Sequence, residues 1–158
     1  MSKQTIERLY AAFARLDGAE MQACYGANAS FEDEVFKLDG AREIGAMWRM
    51  LCDATRSDPA SQAHWKLVTS NITDRSAHWE AHYIFSSTGR QVVNRIDAEF
   101  EFDKRGLIAR HRDRFDFWSW SRQALGTSGW LLGWTPFLRN KVRTQALANL
   151  RRFLEKKR

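Results

Sequence analysis

This 158-residue chain is short of the residues that make disulfides, metal centres or membrane spans. It has two cysteines, Cys24 and Cys52, without metal-ligand spacing or a redox motif; both fall on apolar helix faces and read as reduced core residues of a cytoplasmic protein. It has two prolines, Pro59 and Pro136, each at a change of pattern. The most apolar run, Trp130-Leu-Leu-Gly-Trp134, is far below the ~20 residues a spanning helix needs, and no signal-peptide core follows Met1. No repeat, linker or low-complexity tract interrupts the chain. What is abundant is apolar and aromatic: 44% hydrophobic and 13% aromatic residues point to a packed core rather than disorder.

Acidic residues are also scarce, but only at one end. From Ser119 onward nine Lys/Arg face one acid, Glu155, a net of +8, whereas the whole chain carries +6. The preceding residues are therefore slightly acidic, and the basic character belongs to a tail.

Ile6, Leu9, Tyr10, Phe13 and Leu16 follow the rhythm of an amphipathic helix. Asp17 to Glu20 has capping-box spacing and opens a short helix through Met21, Cys24 and Tyr25, stopped by Gly26. A short strand is expected over 29–36, with Phe31 and Asp33 on one face. Helix resumes at Asp39-Gly40, with Ile44, Met47, Trp48 and Leu51 inward, and ends before Pro59. The hydrophobic period then falls to two residues. Strands are expected over 64–72, 78–86, 92–102 and 107–118, joined by hairpin-like turns into an antiparallel meander.

The most informative strand is the last. Alternation puts Leu107, Ala109, His111, Asp113, Phe115 and Phe117 on one face and Arg110, Arg112, Arg114 and Asp116 on the other. The arginines would stand beside Asp97, Glu99 and Glu101 of the preceding strand and help fix register. His111 and Asp113 break the apolar face, and burying ionisable groups is costly unless they are partnered. They either satisfy each other or work in a pocket. His78 and His82 share the outer face with Glu80 between them, and no further ligand stands at a recognisable spacing, so no metal site is expected.

A curved antiparallel sheet wrapped on N-terminal helices gives an α+β cone. Its lining would be Trp48, Trp79, Tyr83, Asn94, Phe100 and Phe115 around Asp33, His111 and Asp113, an aromatic cavity with a few convergent polar groups. Over Thr5 to Trp118 the chain resembles the nuclear transport factor 2-like superfamily, which includes ketosteroid isomerases, SnoaL-like polyketide cyclases and scytalone dehydratase. The resemblance rests on element order, on Tyr25-Gly-Ala-Asn-Ala-Ser-Phe-Glu-Asp33 followed by Asp39-Gly40, and on Phe100-Glu-Phe102 leading to His111-Arg-Asp113. It implies that Asp33 holds the isomerase general-base position and Asp113 the acid/base position of the cyclases. It also sets a departure. Leu9 stands where the isomerases carry an oxyanion-hole tyrosine and Ala98 where they carry a protonated aspartate, so ketosteroid isomerase activity is not expected.

The resemblance therefore implies a cofactor-independent acid/base enzyme on a hydrophobic ring compound, by isomerisation, cyclisation, dehydration or hydrolysis. Asp33 would take a proton, and Asp113 with His111 would return it. The alternative is a non-catalytic module that binds an apolar ligand or associates through the outer sheet face, for instance as a homodimer. The expected organisation is a cone domain over 1–118 and, over 119–158, a hydrophobic loop and basic helix docked on it. From Pro136 onward Leu138, Val142, Ala146, Leu150 and Leu154 form one helical stripe, with Trp130 or Trp134 expected to wedge near the cone mouth. A membrane surface is the alternative partner for that helix; nucleic acid is not expected, because no recognition motif accompanies the charge.

Overall fold

A computed structural model describes residues 2–156. Two helices, α1 (Ser2–Ala14) and α2 (Gly18–Ala23), lead into the strands β1 (Tyr25–Glu32) and β2 (Lys37–Asp39). The helices α3 (Ala41–Arg56) and α4 (Pro59–His64) precede β3 (Lys66–Ser70), β4 (Ser76–Phe85), β5 (Arg90–Phe102) and β6 (Ile108–Arg114). Three helices close the chain: α5 (Phe117–Leu125), α6 (Thr127–Leu132) and α7 (Pro136–Lys156). The six strands form one sheet in the order β2-β1-β6-β5-β4-β3, wrapped on α1 to α3. The expected α+β architecture, a curved sheet on N-terminal helices with an added C-terminal helix, is present.

Local rules explain most of these elements. Asp17 caps α2, its carboxylate accepting from the Glu20 amide at 3.0 Å. The buried side of α1 is Ile6, Leu9, Tyr10 and Phe13, which face the sheet with Trp79 and Phe100 of β4 and β5. The β4–β5 ladder sets Trp79 opposite Ile96 and Ala81 opposite Asn94. On the outer face, β5 and β6 place Asp97 opposite Arg114, Glu99 opposite Arg112 and Glu101 opposite Arg110.

Several local expectations are corrected. Tyr25 does not end a helix: it is the first residue of β1, because Cys24 already caps α2 through its amide. Leu51 is 41% exposed, since the inner stripe of α3 continues through Cys52, which packs on Met21. Beyond Pro59 the chain makes a helical turn before the strands. Asp58 caps it and Pro59 sits in the first turn, where its missing N–H is harmless.

Strict alternation along β6 fails at its start. The register jumps between Glu101/Arg110 and Phe102/Ile108, so Ala109 is a bulge residue and Ile108, not Leu107, fills the core. The strand also stops at Arg114. Asp116 accepts from the Ser119 amide at 3.1 Å and starts α5, so Phe117 is helical rather than extended. The segment expected as a loop over 119–133 is thus largely helical. Its apolar residues include Trp120 and Ala124, which pack with Phe117 and Val92 as a second small core. On α7, Leu150 joins the main core, and the Arg143 guanidinium donates to the Glu34 carbonyl at 2.9 Å.

Candidate active site

The sheet brings residues far apart in sequence to one buried row. Phe100 of β5 and Phe31 of β1 both flank His111 across the ladders, and Ala98 stands opposite Asp113. His111 and Asp113 are 1% and 3% exposed, among the most enclosed polar groups of the chain. The Phe100 ring lies 4.3 Å from the imidazole centroid, and Phe31 meets it edge-on at 5.0 Å.

The two polar residues satisfy each other, and they are also tied into a longer chain. His111 Nε2 is 2.7 Å from Asp113 Oδ1. His111 Nδ1 is 2.7 Å from the Tyr25 hydroxyl, which in turn accepts from the Trp48 indole N–H at 3.0 Å. One proton arrangement uses every donor. The indole donates to the phenol, the phenol donates to Nδ1, and Nε2–H donates to the Asp113 carboxylate. Burial pushes the Tyr25 hydroxyl well above its ordinary range; the Trp48 hydrogen bond opposes this and the charge of Asp113 adds to it. Tyr25 therefore stays a protonated relay group. The sequence pattern alone does not single out Tyr25, because it expects a helix end there; the one pointer is its place at the start of the segment that ends in Asp33.

Three further buried side-chain atoms have no hydrogen-bond partner among the described residues: Arg122 Nε on α5, and the Tyr10 hydroxyl and Trp79 indole N–H on the inner side of the sheet. The Tyr10 and Trp79 rings are 5.9 Å apart by centroid. Tyr10 is held protonated mainly by burial and next by the charge of Asp113, which places it within electrostatic reach of that carboxylate. Orphaned buried donors are rare in folded proteins, and each costs about 1–3 kcal/mol. The sequence pattern places Tyr10 on the apolar face of α1 and carries no signal that its hydroxyl is unpaired.

Asp33 follows Glu32, which pairs with Arg112, so the chain carries it alongside Asp113. Its Oδ1 accepts from the amides of Val35 and Phe36 at 2.7 and 2.6 Å, an Asx turn that starts the β1–β2 connection. Surrounding protein nevertheless pushes its carboxyl up to about 7, chiefly by desolvation. The two backbone hydrogen bonds oppose the rise and the Asp113 charge adds to it. Asp33 keeps some contact with solvent. Of the other expected lining residues, Trp48, Trp79, Asn94 and Phe100 are buried. Tyr83 accepts from the Trp120 indole at 2.7 Å, and Phe115 packs between the two cores. A cavity of about 570 Å³ opens among charged residues that include Arg75, Glu99, Arg110 and Arg112, and of the row it is lined by Phe100 but not by His111, Asp113 or Asp33.

His78 on the outer face is bound by Asp97 at 2.9 Å, as a cross-strand pair. Among the described residues, no group of three or more His, Cys, Asp or Glu is placed to hold a metal ion. Cys24 and Cys52 are free and buried, and desolvation pushes their thiols up to about 11 and about 12.

Residues 6–111 match the SnoaL-like domain family, and the chain belongs to it. No curated protein matches the chain. A protein of Xanthomonas campestris pv. campestris described as a polyketide cyclase is similar in structure, with a TM-score of 0.59 and 15% identity over 77% of this chain and 95% of its own. A Silicibacter protein of the same description gives 0.59 and 16%, over 78% and 94%. An LEH-like epoxide hydrolase of M. tuberculosis gives 0.57 and 17%, over 83% and 95%. These likenesses establish the shared fold.

Proposed function

We propose that this member of the SnoaL-like domain family is a cofactor-independent acid/base enzyme acting on a hydrophobic ring compound that carries an oxygen function. The observation that carries the reading is the buried chain Trp48–Tyr25–His111–Asp113, with two unpartnered donors, Tyr10 and Trp79, nearby. In this reading Asp113 is the base. It accepts from the His111 N–H, whose tautomer is set by Tyr25 and Trp48. The Tyr10 hydroxyl and Trp79 indole donate to the substrate oxygen as charge develops on it. Asp33, with its carboxyl near neutrality, holds or returns a proton. The rings of Phe100, Tyr83 and Phe115 supply the apolar contact, and Asn94 a polar one.

The chemistry is a proton taken from carbon next to a carbonyl, or from a water that opens an epoxide. The test uses one probe for each. In D2O, 1-tetralone would exchange its α-protons: the proton passes to the Asp113 carboxylate, the C–H electron pair moves onto the carbonyl oxygen as an enolate, and the carbon takes deuterium from the solvent-exchanged acid as the carbonyl re-forms. Styrene oxide would yield the diol by addition of water. Turnover of either probe, lost in Asp113→Asn and slowed in Tyr10→Phe, is the expected result. The second reading is a non-catalytic apolar-ligand module, and the observation in its favour is the capping of Asp33 by two backbone amides. Saturable binding of 1-tetralone without turnover of either probe would select it.

The proposal includes a homodimer through the outer sheet face, where Arg110 pairs with Glu101 at 3.8 Å and Arg114 with Glu99 at 3.9 Å in an exposed lattice of both signs. Sedimentation that shifts with salt would support it; a monomer at all salt concentrations would exclude it.

A further inference from the structure

The segment from α6 into α7 is built inside out. Small residues face inward: a Cβ at position 129 would overlap the Ser121 carbonyl, and one at 133 the Ser121 hydroxyl. Ser121 Oγ donates to the carbonyls of Trp118 and Gly129 at 2.9 and 3.3 Å. This close seat on α5 turns the large side chains to solvent. Trp130 is 59% exposed, Leu131 58%, Trp134 73% and Phe137 71%, all within eight residues. This corrects the expectation that Trp130 or Trp134 wedges at the cone mouth; glycine takes the inner positions. The knob is ordered as well as exposed. The Trp134 indole donates to the Leu131 carbonyl at 3.0 Å, and the Trp118 indole to that of Trp130 at 3.2 Å. Contiguous apolar surface on this scale marks an interaction site.

The flanking charge is mostly of one sign, with Glu155 the single acid on α7. On α7, Leu138, Val142, Ala146 and Leu150 turn inward, and at ~100° per residue the opposite face carries Phe137, Lys141, Arg151 and Glu155, with Arg152 exposed on its flank. Arg139 and Arg143 are engaged by Glu34. Lys141, Arg151 and Arg152 make no ion pair with a carboxylate of the described residues. A second copy seated on the knob would bring two +8 tails together, which like-charge repulsion opposes.

We infer that this knob docks on an anionic lipid bilayer. Trp130, Leu131, Trp134 and Phe137 enter the headgroup boundary, where tryptophan is favoured. Lys141, Arg151 and Arg152 face the acidic headgroups. No helix of the described residues is long and apolar enough to cross a membrane, so the attachment lies on the surface.

The test is flotation of the full chain with phosphatidylcholine vesicles, with and without phosphatidylglycerol, at low and high salt. Binding is expected only with phosphatidylglycerol and weakens with salt. Replacing Lys141, Arg151 and Arg152 by Gln should weaken it by roughly a hundredfold, at about fivefold for each basic residue. W134S/F137S should weaken it at least as much, with circular dichroism unchanged because both side chains are exposed. Absence of flotation with anionic vesicles, or binding that both variants leave intact, overturns the inference. A dimer that W134S/F137S dissociates, without vesicle binding, assigns the knob to a second copy and overturns it equally.

Discussion

Asp33→Asn should stabilise the protein above neutral pH and leave it unchanged in acid. The amide oxygen of Asn can accept from Val35 and Phe36 as the carboxylate does, so the turn survives and only the charge is removed. The wild-type carboxyl rises from an ordinary 3.8 to about 7 in the fold. Below pH 4 both folded and unfolded chains are protonated at this group, so it contributes nothing that varies. Between the two values the folded state holds a proton that the unfolded state has lost, and stability falls as pH rises, by ~1.36 kcal/mol per pH unit. The full penalty above pH 7 is on the order of 4 kcal/mol. Solvent at the accessible edge of Asp33 screens part of it, so about 2 kcal/mol or more is the expected gain in the variant at pH 8. Urea denaturation of both proteins across pH 4 to 8 measures this, and the difference between the two curves removes the other carboxyls. A difference that stays flat across that range would show that Asp33 ionises as an ordinary surface acid. Its assignment as a proton carrier at neutral pH would then fall with it.

Three shorter expectations follow from the same contacts. Tyr25→Phe removes the hydroxyl between Trp48 and His111 and leaves two buried groups unpaired, which should cost about 2–4 kcal/mol in thermal or urea unfolding; a change below 0.5 kcal/mol would mean the chain of hydrogen bonds is absent in solution. Gly129→Ala should force α6 off α5, costing about 1–3 kcal/mol and speeding proteolysis within 126–135, whereas Gly89→Ala, with open space around it, should not affect that segment. Cys24 and Cys52 should react with a thiol reagent at pH 8 only as fast as the protein opens, since burial holds both thiols protonated; native-state labelling as fast as in urea would refute their burial.

Much of the fold was legible because binary pattern and local chemistry agree. The i, i+3, i+4 stripe of α1, the Asp17 cap and the alternation along β4 and β5 each name an element without tertiary help. The errors fall where one residue outranks a pattern. Ala109 bulges and resets the inward face of β6, which no hydrophobic period can announce, since Leu107, Ile108 and Ala109 are all apolar. Asp116 caps a helix where the aromatics on either side also fit a strand. The parallel pairing of β1 with β6 is invisible locally, because it joins residues about eighty apart.

The candidate site shows the same division more sharply. His111 and Asp113 stood out because two ionisable residues interrupt an apolar face, a signal contained within one strand. Tyr25 and Tyr10 gave no such signal, since a tyrosine on an apolar face is ordinary and its hydroxyl matters only once the fold decides what lies beyond the ring. The fold gives those two hydroxyls opposite environments. Tyr25 is bonded on both sides and fixes the imidazole, while Tyr10 has no acceptor among the described residues. A core optimised only for stability would place phenylalanine at position 10 and lose nothing but an unpaired hydroxyl. Keeping the hydroxyl there is explicable if an oxygen of the substrate supplies the missing acceptor. Tyr10→Phe should therefore be neutral or stabilising for the free protein while it slows turnover, a combination that a purely structural tyrosine would not produce.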